Sequence, residues 1–209
     1  MISAREALDR LQQGNRRFVS GETAKAKLQN QERRNELILD QRPFAVILGC
    51  ADSRVPAELV FDQGLGDLFV IRVAGNIVAP SQIGSVEFAA EWFGTQLVVV
   101  LGHSRCGAVL ATFEELTHQT THKSQNLRSI VDRVRPSIEP LLATELRQNT
   151  DALLAQGVRA NVRASANHLR HGSEILEQLI QQGQLLIVGA EYSVETGVVD
   201  FFDGIPDEK

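Results

Sequence analysis

"FAVILGCADSRVPAE", residues 44–58, decides the fold. Residues 44–49 are a continuous apolar run of strand length, entered from Pro43 and closed by Gly49. A strand apolar on both faces belongs in a parallel sheet covered by helices. The run then ends abruptly in a thiol, a carboxylate and a guanidinium: Cys50, Asp52 and Arg54. "VVVLGHSRCGAV" (98–109) repeats this grammar, an apolar run ending in Gly102 and then His103 and Cys106. "DLFVIRV" (67–73) and "QLLIVGAEY" (184–192) supply two more strands of the same character.

Helical patterns separate these runs. Ser3 and Glu6 have capping-box spacing ahead of Leu8, Leu11 and Phe18. A second, polar helix is expected over 29–40. Residues 81–94 place Ile83, Val86, Ala90 and Phe93 on one face, and 106–116 form another helix. Residues 126–182 hold Pro136 and Pro140 and should divide into several helices. Thr196 and Gly197 signal a turn returning a short antiparallel edge strand. The expected fold is a single α/β domain over 1–209, with a mostly parallel central sheet flanked by helices and a helical arm at 1–40. In such sheets ligands sit beyond the carboxyl ends of the strands, where Cys50 and His103 lie.

Composition narrows the function. The 209 residues are 43% hydrophobic and 22% charged, a globular balance. The formal charge of −5 argues against a nucleic-acid footprint, which needs a basic face. Arg16-Arg17 and Arg33-Arg34 read as solvated helix faces. No apolar run approaches the roughly 20 residues of a membrane span. "MISAREALDRLQQGNRRF" lacks a signal-peptide core, so the expected compartment is the cytoplasm. There the only two cysteines, Cys50 and Cys106, point to metal binding or catalysis rather than to a disulfide.

Two thiolates and an imidazole are donors that zinc prefers. His103 and Cys106, three apart across a strand-to-helix turn, face one point, and Cys50 closes the set from the other loop. The chain has no third cysteine, so a fourth position falls to solvent, to a carboxylate or to another histidine, which is the pattern of a catalytic site. Asp52 either binds the metal or turns away to accept a hydrogen bond from a metal-bound water. A bidentate pair with Arg54 holds it away and leaves one oxygen for the water. A water on such a metal becomes a hydroxide nucleophile near neutral pH. Thiolates donate more density than imidazoles, so activity should rise toward mildly alkaline pH. A small apolar mouth suits carbon dioxide. The candidate substrate pocket is Gln41, Phe69, Ala74 and Gly107, with Val73 and Phe88 as further lining.

"CADSR" followed by "GHSRC" resembles the β-class carbonic anhydrases, whose C-x-D-x-R and H-x-x-C motifs build a zinc site. The resemblance runs on through "FDQGLGDLFVIRVAGN" (61–76), "GSVEFAAE" (84–91) and "GAEYSVETGVVDFF". It implies one zinc per chain on Cys50, His103 and Cys106, with Asp52 and Arg54 as a gating dyad. Asp52 becomes a fourth ligand only in a closed state. It further implies Gln41 as a donor to substrate, and a homodimer or tetramer with N-terminal helices reaching the partner. Some members close through bicarbonate in a pocket with a tryptophan three residues before the first cysteine. Ile47 stands there, so an open site is expected.

Two other functions fit the same residues: a zinc hydrolase of carbonyl sulfide or carbon disulfide, and a zinc-stabilised scaffold with Asp52 permanently on the metal. His118 and His122 have i, i+4 spacing but read as a solvated turn, and His168 and His171 as surface residues. "GLGD" (64–67) lacks the context of a dinucleotide site. The phenylalanines and Trp92 read as core or dimer contacts.

Overall fold

A strand buried on both faces needs a helical layer on each side, and the chain supplies both. The computed structural model describes residues 2–23, 31–118 and 124–206. Its strands are β1 (Ala45–Gly49), β2 (Leu68–Arg72), β3 (Leu97–His103), β4 (Leu186–Tyr192) and β5 (Val199–Asp203). They form one sheet in the order β2-β1-β3-β4-β5, the first four parallel and β5 antiparallel to β4. Gly197 turns the chain back with a positive φ of 78°, so the expected edge strand is present.

The helices are α1 (Ala4–Ser20), α2 (Gln31–Glu36), α3 (Ala57–Val60), α4 (Pro80–Phe93), α5 (Gly107–His118), α6 (Gln125–Ile138), α7 (Thr150–His171) and α8 (Glu174–Gln181). Side-chain alternation along β1 feeds two cores. Ala45 and Ile47 pack with Leu8 and Leu11 of α1 and Val60 of α3. Val46 and Leu48 pack with Val86 of α4, Val162 and Leu169 of α7 and Leu176 of α8. Each such side chain, fully buried, contributes about 1.5–3 kcal/mol. A third core, at the strand tips, surrounds Cys50 and Cys106 with Val109, Val134, Ile138, Leu153 and Val158.

One local expectation changes. The second helix covers six residues, Gln31–Glu36, rather than 29–40; residues 29 and 30 lie outside the described residues. Pro43 disfavours helical backbone at Arg42, and Ile38 and Leu39 stand out in solvent, 73% and 96% exposed. Residues 126–182 divide into several helices as expected, with Pro136 inside α6. It sits in the last turn, so the helix forgoes one bond before ending at Ile138, and Pro140 opens a 3-10 segment, Glu139–Ala143.

The N-terminal arm is divided. α1 carries the expected capping box of Ser3 and Glu6 and packs on the sheet of its own chain. Asn15 is buried and fastens it there: its Nδ2 donates to the carbonyls of Val60 (3.1 Å) and Gly197 (2.9 Å), and its Oδ1 accepts from Val199 N–H. Arg17 pairs with the buried Asp62 at 2.6 Å. One turn earlier Gly14 lies so close to the next segment that a Cβ would run into the Phe61 carbonyl oxygen. Helix propensity alone favours Gly14→Ala by about 1 kcal/mol. Packing decides the sign: we expect Gly14→Ala to lower stability by at least about 1–3 kcal/mol, seen as a lower urea midpoint at unchanged slope. A midpoint that rises would show that α1 is not seated this way.

Candidate metal centre

The parallel register places the tips of β1 and β3 side by side. Gly49 pairs with Leu101, so the next residue, Cys50, emerges beside Gly102 and His103. The chain turns after β3 through Ser104 and Arg105 and enters α5 just after Cys106. The Sγ atoms of Cys50 and Cys106 and a ring nitrogen of His103 lie within 4.8 Å of one another. All three residues are buried, His103 completely. The expected donor set is therefore assembled.

The histidine shows which atom is offered. Its Nδ1 is 2.9 Å from the Ser104 carbonyl, which can only accept, so Nδ1 carries the proton and Nε2 keeps its lone pair. That Nε2 is buried without a hydrogen-bond partner. A buried ring nitrogen left bare beside two sulfurs fits a cation. The sulfurs are mismatched as thiols. A hydrogen bond from Cys106 drives the Cys50 pKa down, with burial opposing, while Cys106, facing that charge and buried, is driven up. The pair thus sheds one proton readily and holds the second until a cation compensates two adjacent thiolates. Burial alone would depress the His103 pKa, but the Cys50 sulfur, the Ser104 carbonyl and the Asp52 charge together outweigh it and leave the imidazole raised.

Asp52 and Arg54 form the expected bidentate pair: Nε to Oδ1 at 2.9 Å and Nη2 to Oδ2 at 2.8 Å. Arg54 N–H adds a third bond to Oδ1, so the pair engages both oxygens rather than leaving one free. Oδ2 keeps spare acceptor capacity and lies 3.9 Å from His103 Nε2. The Arg54 bonds hold the Asp52 carboxyl far below the usual carboxylate range. Arg54 Nη2 also donates to the Arg105 carbonyl at 3.3 Å, tying the two loops together.

Other residues brace the loops. Arg72, at the tip of β2, donates to the carbonyls of Cys50 (3.1 Å) and Asp52. Gly75 N–H donates to Cys50 Sγ at 3.3 Å. Arg105 occupies left-handed backbone, φ 56°, which a non-glycine residue adopts only under constraint. The constraint is Glu195, which accepts from Ser104 Oγ at 2.6 Å and from Arg105 Nε. Those bonds, the one from Ser104 first, lower its pKa to about 2. Arg72 and Glu195 fall inside the recognised stretches "FVIRVAGN" and "EYSVETG", yet spacing alone does not aim them at these turns.

The substrate-pocket candidates separate. Ala74 adjoins Gly75, and Gly107 adjoins Cys106, both at the centre. Phe69 pairs with Val46 near the amino end of β1, and Gln41 precedes that strand. Gln41 lines clefts at that end with Phe88, Trp92 and Phe93, and Phe69 packs at a tilt against Phe88 and Phe93. Neither reaches the metal centre of its own chain. His118 is exposed at the end of α5, and His122 lies outside the described residues. His168 and His171 are exposed. No helix among the described residues is long and apolar enough to cross a membrane.

Comparison with known proteins shows the family. The carbonic anhydrase family model matches residues 45–199. A carbonic anhydrase of Mycolicibacterium smegmatis is 42% identical over 191 residues, covering 91% of this chain and 89% of that protein. Carbonic anhydrase 2 of Mycobacterium tuberculosis is 38% identical, covering 90% and 87%. The crystal structure of the β-carbonic anhydrase CafA of Aspergillus fumigatus superposes with a TM-score of 0.74 at 26% identity, covering 84% of this chain and 83% of that one. A chain from the crystal structures of two tetrameric β-carbonic anhydrases of Sordaria macrospora shares the fold, with a TM-score of 0.72 at 21% identity, covering 83% and 87%. With its Cys-His-Cys centre at the tips of a five-stranded sheet, the chain belongs to the β-carbonic anhydrase family, the enzymes that interconvert carbon dioxide and bicarbonate.

Proposed function

We propose that the chain hydrates carbon dioxide reversibly, giving bicarbonate and a proton, at one zinc ion held by Cys50, His103 and Cys106. The bare, buried Nε2 of His103 between two thiols carries this reading. Bound there, zinc supplies the Lewis acidity that makes water a nucleophile near neutral pH. The protein's residues do the rest. Ser104 fixes the His103 tautomer. Arg54 keeps Asp52 ionised and turned toward itself, so Asp52 acts as an acceptor only. Oδ2 would accept a hydrogen bond from the attacking water and so orient its lone pair toward the carbon of carbon dioxide. Asp52 reaches the metal only after giving up three bonds from Arg54, which favours the open arrangement over a permanently closed scaffold.

Gln41 and Phe69 enter through a second copy of the chain. Ile38, Leu39, Phe88 and Trp92 are exposed beside them, and β2 is an edge strand. We infer that this face meets a partner and delivers Gln41 to the partner's centre. Tetrameric relatives of the same fold support association.

Three measurements test these roles. Purified protein should hold one zinc per chain and hydrate carbon dioxide faster from pH 6.5 to 9. Asp52 is ionised throughout that range and adds no slope to it. Full zinc without turnover at any of these pH values would sink the reading. Asp52→Asn should cost on the order of 10²-fold in kcat with zinc content unchanged, whereas a structural fourth ligand would lose zinc instead. Mixing Gln41→Ala chains with Cys50→Ser chains should restore a site that neither variant has alone. A mixture no more active than its parts would place Gln41 in its own chain's chemistry or in none.

A further inference from the structure

Gly75 lies in the 3-10 turn Ala74–Asn76, which starts without a side-chain cap. Its φ is 70°, a conformation open to glycine and to few other residues. That freedom leaves the direction of its N–H unspecified by the turn itself. Yet this N–H is the one aimed at Cys50 Sγ. Something beyond the turn must hold it.

The holder is on α7. Asn161 is 2% exposed, on a face whose neighbours Val158, Val162 and Ser165 are buried as well. Its Nδ2 donates to the Gly75 carbonyl at 2.7 Å. The helix thereby grips the peptide on one side of the Gly75 Cα, and the peptide on the other side presents its N–H to the sulfur. An apolar residue at 161 would strip a buried carbonyl of its partner and release the turn. α7 itself is fixed over the sheet by Val162, Ala166 and Leu169, so the grip is anchored in the core.

We propose that Asn161 is a positioning residue of the metal centre: through Gly75 it keeps an N–H on the Cys50 sulfur and so tempers how much charge that ligand donates. The inference rests on Cys50 being a metal ligand. An outer partner of this kind typically accounts for about 10–100-fold in metal affinity.

Cadmium-113 in place of zinc, in nitrogen-15-labelled protein, reads the bond directly. In the parent protein the Gly75 amide proton should couple to the cadmium through Cys50 Sγ. Asn161→Asp keeps the shape but puts an acceptor against a carbonyl, and Asn161→Ser shortens the reach. In either variant, folded by a cooperative melt, the coupling should vanish and zinc affinity, read by competition with a chelator, should fall on the order of tenfold. In the cobalt form the thiolate-to-metal band should move to longer wavelength. Unchanged coupling and band with only a lower melting temperature would overturn the proposal and leave Asn161 a packing residue. So would a parent protein that binds one cadmium per chain without coupling at Gly75, a result that decides the matter even if neither variant folds. Failure to bind cadmium at all would instead overturn the metal reading, and this inference with it.

Discussion

The register between β1 and β3 is the constraint on which the rest depends. Because Gly49 lies opposite Leu101, two buried strands end together at one edge of the sheet. Two thiols and an imidazole are thereby forced into a space closed by the core of α5, α6 and α7. Slipping the register by one residue would exchange the two faces of the strand and scatter the donors. Nonpolar burial of β1 and β3 thus sets the geometry of a polar site. The sulfurs and the ring nitrogen share a desolvated volume that a cation suits and that two thiolates by themselves oppose.

Around that constraint the loops are held by charge-assisted bonds from arginines. Arg54 and Arg72 grip the turn after β1 from two sides, and Arg54 reaches across to the turn after β3. Glu195, from the turn between β4 and β5, locks Ser104 and Arg105 in a conformation that costs free energy by itself. Each ligand-bearing turn is therefore secured by a neighbouring segment rather than by its own sequence. On the proposed reading, a site that keeps one carboxylate near the metal yet off it gains from such rigid loops, since Arg54 holds Asp52 by three bonds.

The molecule is asymmetric along its strands. The carboxyl edge carries the Cys-His-Cys cluster, and the amino edge carries an aromatic group of Phe69, Phe88, Trp92 and Phe93 with Gln41 beside it. Trp92 is 76% exposed and stacks on Phe88, an expensive arrangement for an isolated chain in water. On the proposed reading, this face completes the mouth of a partner's site, and the chain's own mouth is completed in return.

Most of this was legible in the residue order. Apolar runs bounded by Pro43, Gly49 and Gly102 named the strands, because period and length are local properties. The C-x-D-x-R and H-x-x-C spacings picked out the three side chains whose donor atoms meet, because residues on neighbouring strand tips need only a short turn to converge. The Asp52–Arg54 pair follows from two residues on the same bend. What spacing could not say is where distant segments meet. Gln41 and Phe69 read as pocket residues yet lie at the opposite strand ends, because their position depends on strand direction and not on residue type. Asn161 and Glu195 looked like ordinary polar residues on a helix and a turn. Only packing, which carries α7 onto Gly75 and the β4–β5 turn onto Arg105, brings them to the metal loops. A hydrogen bond between residues 86 positions apart, as from Asn161 to Gly75, is decided by how helices seat on a sheet and leaves no pattern in the chain.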